Sequence, residues 1–104
     1  MRYAFVMQLL AGCEEQYLQR HQQIWPELAK LLKSYSIANY QIYLQPHSLQ
    51  LFASFEAPAD FDQAGLKQEP LMQKWWASMA PYMDTQVASD EPQSIELDEM
   101  FFLN

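Results

Sequence analysis

The chemistry open to this chain starts from one imidazole. His21 is one of only two histidines, and Tyr17 stands four residues before it. On a helix that spacing stacks the two side chains on one face. Trp25 continues the row one turn later, but Pro26 interrupts it, because proline lacks an N–H and collides with the carbonyl four residues back. The pattern predicts one helix ending near residues 21–23 and a second starting near Trp25, with Pro26 in its first turn. An imidazole at such a break can face a cavity instead of being sealed in a helix row. It titrates near neutrality, which suits proton transfer. A lone histidine beside aromatics also reads as a structural residue, and residues 17–28 alone do not decide between the two.

The second group is the pair Trp75–Trp76. Leu71, Trp75, Met79 and Met83 recur at four-residue spacing, an apolar stripe that predicts a helix over residues 71–83. Trp76 lies about 100° round that helix. Adjacent indoles cannot both point at one core centre, so one packs and the other borders a groove, or both line its wall. Tyrosine and tryptophan offer flat apolar faces with a polar edge. Such walls suit a small neutral ligand, notably a sugar, whose C–H face stacks while its hydroxyls take hydrogen bonds.

Other chemistries lack residues to carry them. There is no CxxC or HExxH, and two distant histidines do not make a zinc site. Glycine occurs only at Gly12 and Gly65, too few for a glycine-rich phosphate loop, and no GxSxG elbow is present. The residues by themselves reach a small ligand with polar and apolar faces and available proton transfer. They reach no further.

The elements that must hold these side chains follow from periodicity. Residues 2–9 alternate with period two, a strand with largely apolar sides. Ala11–Gly12 makes a turn, and Glu14 and Glu15 favour the helix start that follows. The second helical piece runs to about Ser34 through Leu28, Leu31 and Leu32. Residues 37–44 and 49–56 read as a hairpin around residues 45–48, with Tyr40, Ile42 and Leu44 on one face and Ile37, Asn39, Gln41 and Tyr43 on the other. His47 falls at its tip, as a solvated turn residue. A short helix runs to about Leu66, then the Trp75–Trp76 helix, then a polar loop over 84–94 containing Pro92. Residues 95–103 alternate again and predict a final strand. The order is strand, helix, strand, strand, helices, strand. It predicts an α+β fold with the ferredoxin-like split βαβ pattern, an antiparallel sheet with helices on one face. The strands are apolar on both sides, so the uncovered face would be a large exposed patch. A two-fold homodimer through that sheet face is the expected cover, giving a dimeric α/β barrel.

Composition bounds the rest. The 104 residues suffice for one domain, 1–104, and half of them are hydrophobic, which argues against disorder. A net charge of −7 argues against a nucleic-acid partner and against an anionic membrane surface. No apolar run approaches the ~20 residues that span a bilayer, and residues 1–10 read as a strand, not a signal peptide. Cys13 is the only cysteine, so no internal disulfide forms and a cytoplasmic location is expected.

Several segments together resemble the L-rhamnose mutarotase family: Ala4-Phe5-Val6-Met7-Gln8; Tyr17 with Arg20-His21; Ile24-Trp25-Pro26-Glu27-Leu28; Asn39-Tyr40 with Ile42-Tyr43-Leu44; and Trp75-Trp76. The resemblance runs the length of the chain in order. It implies a ferredoxin-like homodimer in the cytoplasm that interconverts the α and β anomers of L-rhamnose with no metal or organic cofactor. It also implies that His21 is the proton donor and that Tyr17, Tyr40, Trp75 and Trp76 bind the sugar. On the residues alone, two other activities share this architecture: a non-catalytic sugar-binding module and a cofactor-free monooxygenase.

Overall fold

A computed structural model describes residues 1–104. The elements run β1 (Arg2–Gln8), α1 (Glu14–Gln22), α2 (Pro26–Ser34), β2 (Ala38–Gln45), β3 (Gln50–Glu56), α3 (Gln63–Gln68), α4 (Pro70–Met79), a single 3₁₀ turn (Ala80–Tyr82) and β4 (Ser94–Leu97). The strands form one antiparallel sheet in the order β2-β3-β1-β4. The two central strands, β1 and β3, are neighbours in space but not in sequence, the ferredoxin-like arrangement that the element order predicted.

Proline sets the helix boundaries. Trp25 and Glu69 each precede a proline and are extended, with ψ of 128° and 127°, because a following proline disfavours the helical region. Pro26 and Pro70 then open α2 and α4. At the other end of α4, Pro81 lies within the 3₁₀ turn. The helix predicted to reach Met83 therefore stops at Met79, although Trp75, Met79 and Met83 are all buried as the stripe requires.

All four helices lie over one sheet face. Met7 and Leu9 from the β1 end, and Leu51 and Ala53 from β3, pack there with Tyr17, Leu28, Trp75, Met79 and Met83. A smaller cluster of Ile37, Phe55 and Ala57 adjoins them. The expectation that Ile37 lies on the face opposite Tyr40 needs correction. Ala38 pairs with Glu56 but Gln41 pairs with Ser54, so β2 holds one extra residue. Asn39 takes a positive φ of 51° within this bulge, a conformation asparagine tolerates better than most residues. The extra residue reverses the alternation, and Ile37 and Tyr40 both end up on the covered side.

The final strand is also shorter than its periodicity predicts. Pairing with β1 ends at Leu97 opposite Ala4. Glu99 instead turns to Arg2, its Oε1 2.9 Å from the guanidinium Nε. The Phe102 ring lies 3.5 Å from the same guanidinium carbon, and the last residues are exposed. No helix is long and apolar enough to cross a membrane.

Candidate active site

The site begins in α1. Tyr17 and His21 stack at 4.2 Å between ring centroids with 25° between planes, the contact their four-residue spacing dictates. Tyr17 is buried and His21 half-buried. His21 Nδ1 lies 3.0 Å from the Tyr17 carbonyl oxygen. A carbonyl can only accept, so Nδ1 carries the hydrogen and the neutral ring presents its lone pair on Nε2. Burial holds the imidazole pKa below its ordinary 6.5, and the bond to the Tyr17 carbonyl opposes this only in part. At neutral pH the ring is therefore uncharged, with Nε2 free to accept a proton.

The α4 indoles divide the two tasks between them. Trp75 is buried and backs the imidazole edge-on, at 5.4 Å and 81°. Trp25 meets Trp75 in turn at 5.1 Å and 85°. Trp76, one residue on, is half-buried and borders open space. The strand side supplies Tyr40, whose ring stacks on Phe55 at 5.2 Å. Tyr40 is 40% exposed as a whole residue, yet desolvation pushes its phenol up to about 12. Tyr17 is raised further, first by burial and then by the neighbouring Tyr40. Both phenols are hydrogen-bond donors at neutral pH, and neither is available as a phenolate base.

A cavity of about 870 Å³ lies between the sheet and the helices. A smaller chamber of about 70 Å³ shares much of that lining, and its wall includes Tyr17, His21, Tyr40, Trp75 and Trp76 together. Met7, Ile42, Met72, Met79, Met83 and Pro92 complete that wall, and no lysine, arginine, aspartate or glutamate enters it. So all five site residues expected from the sequence meet in one neutral, aromatic-lined hollow. Nowhere do three or more His, Cys, Asp or Glu side chains cluster as a metal site would require. His47 sits exposed on the hairpin turn, away from both cavities.

Sequence reasoning missed Met72, Ile42 and Pro92 as wall residues. Met72 lies three before Trp75, a spacing that would have placed it beside that residue on α4. Pro92 carried no comparable signal, since only the path of the 84–93 loop brings it to the chamber.

A family model described as L-rhamnose mutarotase matches residues 2–103 of the chain. The chain belongs to the L-rhamnose mutarotase family. Relatives bearing that name include one from Sinorhizobium fredii, 42% identical with 99% of this chain and 98% of the relative covered. One from Opitutus terrae is 39% identical, covering 100% and 99%. The crystal structure of the L-rhamnose mutarotase from Formosa agariphila superposes with a TM-score of 0.91 at 35% identity, covering 100% of this chain and 99% of that one. The ferredoxin-like α+β fold expected from the element order is thus the fold of this family. So is the expected activity, an isomerase acting on the anomers of L-rhamnose. The binding-module and monooxygenase readings lose their ground to this membership.

Proposed function

We propose that this chain interconverts α- and β-L-rhamnopyranose, with His21 as the catalytic residue and Tyr17, Tyr40, Trp75 and Trp76 around the sugar. The observation that carries the reading is the neutral His21 ring, Nδ1 committed to the Tyr17 carbonyl, with Nε2 left as the one basic atom among the side chains of the chamber. Nε2 takes the proton of the C1 hydroxyl while the bond from C1 to the ring oxygen breaks. A phenol of Tyr17 or Tyr40 donates to the departing ring oxygen. The C1–C2 bond then turns in the open aldehyde. The ring oxygen attacks the other carbonyl face and returns its proton to the phenolate left by that donation, and the new C1 hydroxyl takes the proton from Nε2. The donor role that the resemblance gave to His21 is then the closing half of a cycle it enters as a base. Only protons move, and every atom is returned. The apolar wall of Met72, Ile42 and Trp76 suits a sugar that carries a methyl group in place of a hydroxymethyl.

We also propose that residues 1–104 act as a single domain, in the cytoplasm, as a two-fold dimer through the bare sheet face. Tyr43, Phe52, Ile95 and Leu97 lie exposed there, an apolar strip of the kind a second copy buries. The lone Cys13 is unpaired, as reducing compartments favour.

NMR saturation transfer between the anomeric protons of L-rhamnose tests the activity. Exchange accelerated by catalytic amounts of protein is expected. Binding without acceleration would overturn the reading.

A further inference from the structure

The large cavity takes in residues that the small chamber does not, and several of them are of a different kind. Gln63 and Lys67 of α3, Gln86 and Glu91 of the 84–93 loop, and Ser94 of β4 line the cavity but not the chamber. Glu91 is the centre of this group. Its Oε2 lies 3.0 Å from Lys67 Nζ and accepts from Gln86 Nε2 at 3.2 Å. Its main chain is fixed as well. The Gln86 N–H donates to the Glu91 carbonyl at 2.9 Å, and the Glu91 N–H donates to Ser89 Oγ at 3.0 Å. The side chain is only 19% exposed, and its second oxygen, Oε1, accepts no hydrogen bond from the protein. Here a carboxylate is held in place with one free acceptor, beside an ammonium and two primary amides.

Sugar hydroxyls both donate and accept, and this is a set of groups that answers both. Phe61 and Leu66 also line the large cavity and not the small chamber, and add apolar surface for a C–H face. Size points the same way. Small-ligand sites run from ~300 to ~1,000 Å³, and a cavity of about 870 Å³ is only partly filled by one deoxyhexose.

We propose that the part of the cavity around Glu91 and Lys67 is a second sugar subsite, so that the enzyme also equilibrates the anomers of reducing disaccharides whose free end is L-rhamnose. The proposal rests on the reading that His21 opens the pyranose ring. Ring opening needs a free C1 hydroxyl, so the second sugar must hang from another position. O3 and O4 lie across the ring from C1. With C1 at His21 Nε2, a substituent on either oxygen extends away from the imidazole, and the cavity that His21 lines is also lined by Glu91 and Lys67. The chemistry is unchanged. The bond between C1 and the ring oxygen breaks and re-forms, the proton returns, and the glycosidic bond between the sugars is untouched.

The test is saturation transfer on L-rhamnose and on a disaccharide with a hexose at O4 of the reducing rhamnose. Wild type, Glu91→Ala, Glu91→Gln and Lys67→Met are compared. Wild type is expected to accelerate both sugars. Glu91→Ala and Lys67→Met should leave L-rhamnose exchange unchanged and raise KM for the disaccharide about tenfold, the size of one hydrogen bond to a charged group. Glu91→Gln, which keeps shape and an acceptor, should fall between them and wild type. Acceleration of L-rhamnose alone would overturn the subsite and leave the mutarotase reading intact. Equal effects of the variants on both sugars would also overturn it, since Glu91 would then only support the loop. No acceleration of either sugar would remove the underlying activity and the subsite with it.

Discussion

The two faces of the sheet carry the same kind of sequence and meet different fates. On the helix side, Met7, Leu9, Leu51 and Ala53 are buried, and the fold goes on to enclose a histidine and two phenols among them. On the other side, Phe52 is 38% exposed and Ile95 65% exposed, with no helix above them. The contrast shows that strand hydrophobicity does not reveal which face will be covered. It also shows what cover makes possible. Burial moves the His21, Tyr17 and Tyr40 pKa values, and a helix carbonyl fixes the imidazole tautomer.

Changes on the covered face should therefore be severe. His21→Ala should lower catalysed anomer exchange by ~10²–10⁴-fold, the usual contribution of positioned proton transfer, with little change in far-UV circular dichroism. Undiminished exchange would break the comparison at its centre. Leu28 is 1% exposed in the core beneath the site, and Leu28→Ala should cost about 2–5 kcal/mol in a urea titration.

The pH profile sharpens the point. The His21 pKa is depressed in the folded state, so near pH 6 the unfolded chain binds more protons there, and this group's contribution to stability falls as pH drops through its ordinary pKa. Catalysed exchange should be level at neutral pH and decline on the acid side, with an apparent pKa below 6.5. An inflection above that value would mean that the ring is not desolvated. An NMR titration of the imidazole protons gives the same quantity directly.

The bare face should respond least within one chain and most between chains. Ile95→Asp should change monomer stability by no more than about 0.5 kcal/mol, as substitutions at exposed positions usually do. In sedimentation it should shift a dimer to monomer. A small local test lies in α3. A Cβ at Gly65 would collide with the Asp62 carboxylate, which caps that helix through the Gly65 N–H at 2.9 Å. Gly65→Ala should therefore cost roughly 1 kcal/mol, the size of a lost cap.

Much of this was legible beforehand because it depends on short spacings. The Tyr17–His21 stack is four residues on one helix. The breaks before Pro26 and Pro70 are covalent consequences of the ring. The burial of Trp75, Met79 and Met83 is a period. The errors came where neighbours outside the segment decide. The strand expected over 95–103 ended at Leu97, because Glu99 found Arg2. Ile37 changed face, because one residue was inserted opposite β3.

The sequence alone determined which side chains could share a helix face, where the chain had to leave a helix, and that the available chemistry was proton transfer among aromatic rings. Only the tertiary structure decided that Tyr40 reaches the same chamber as His21, that Trp75 packs while Trp76 borders open space, and that Glu91 meets Lys67 in the wall of the large cavity. The physical reason is range. Periodicity and proline geometry act over a few residues, whereas burial, tautomer and the meeting of distant segments are set by what packs on top of them.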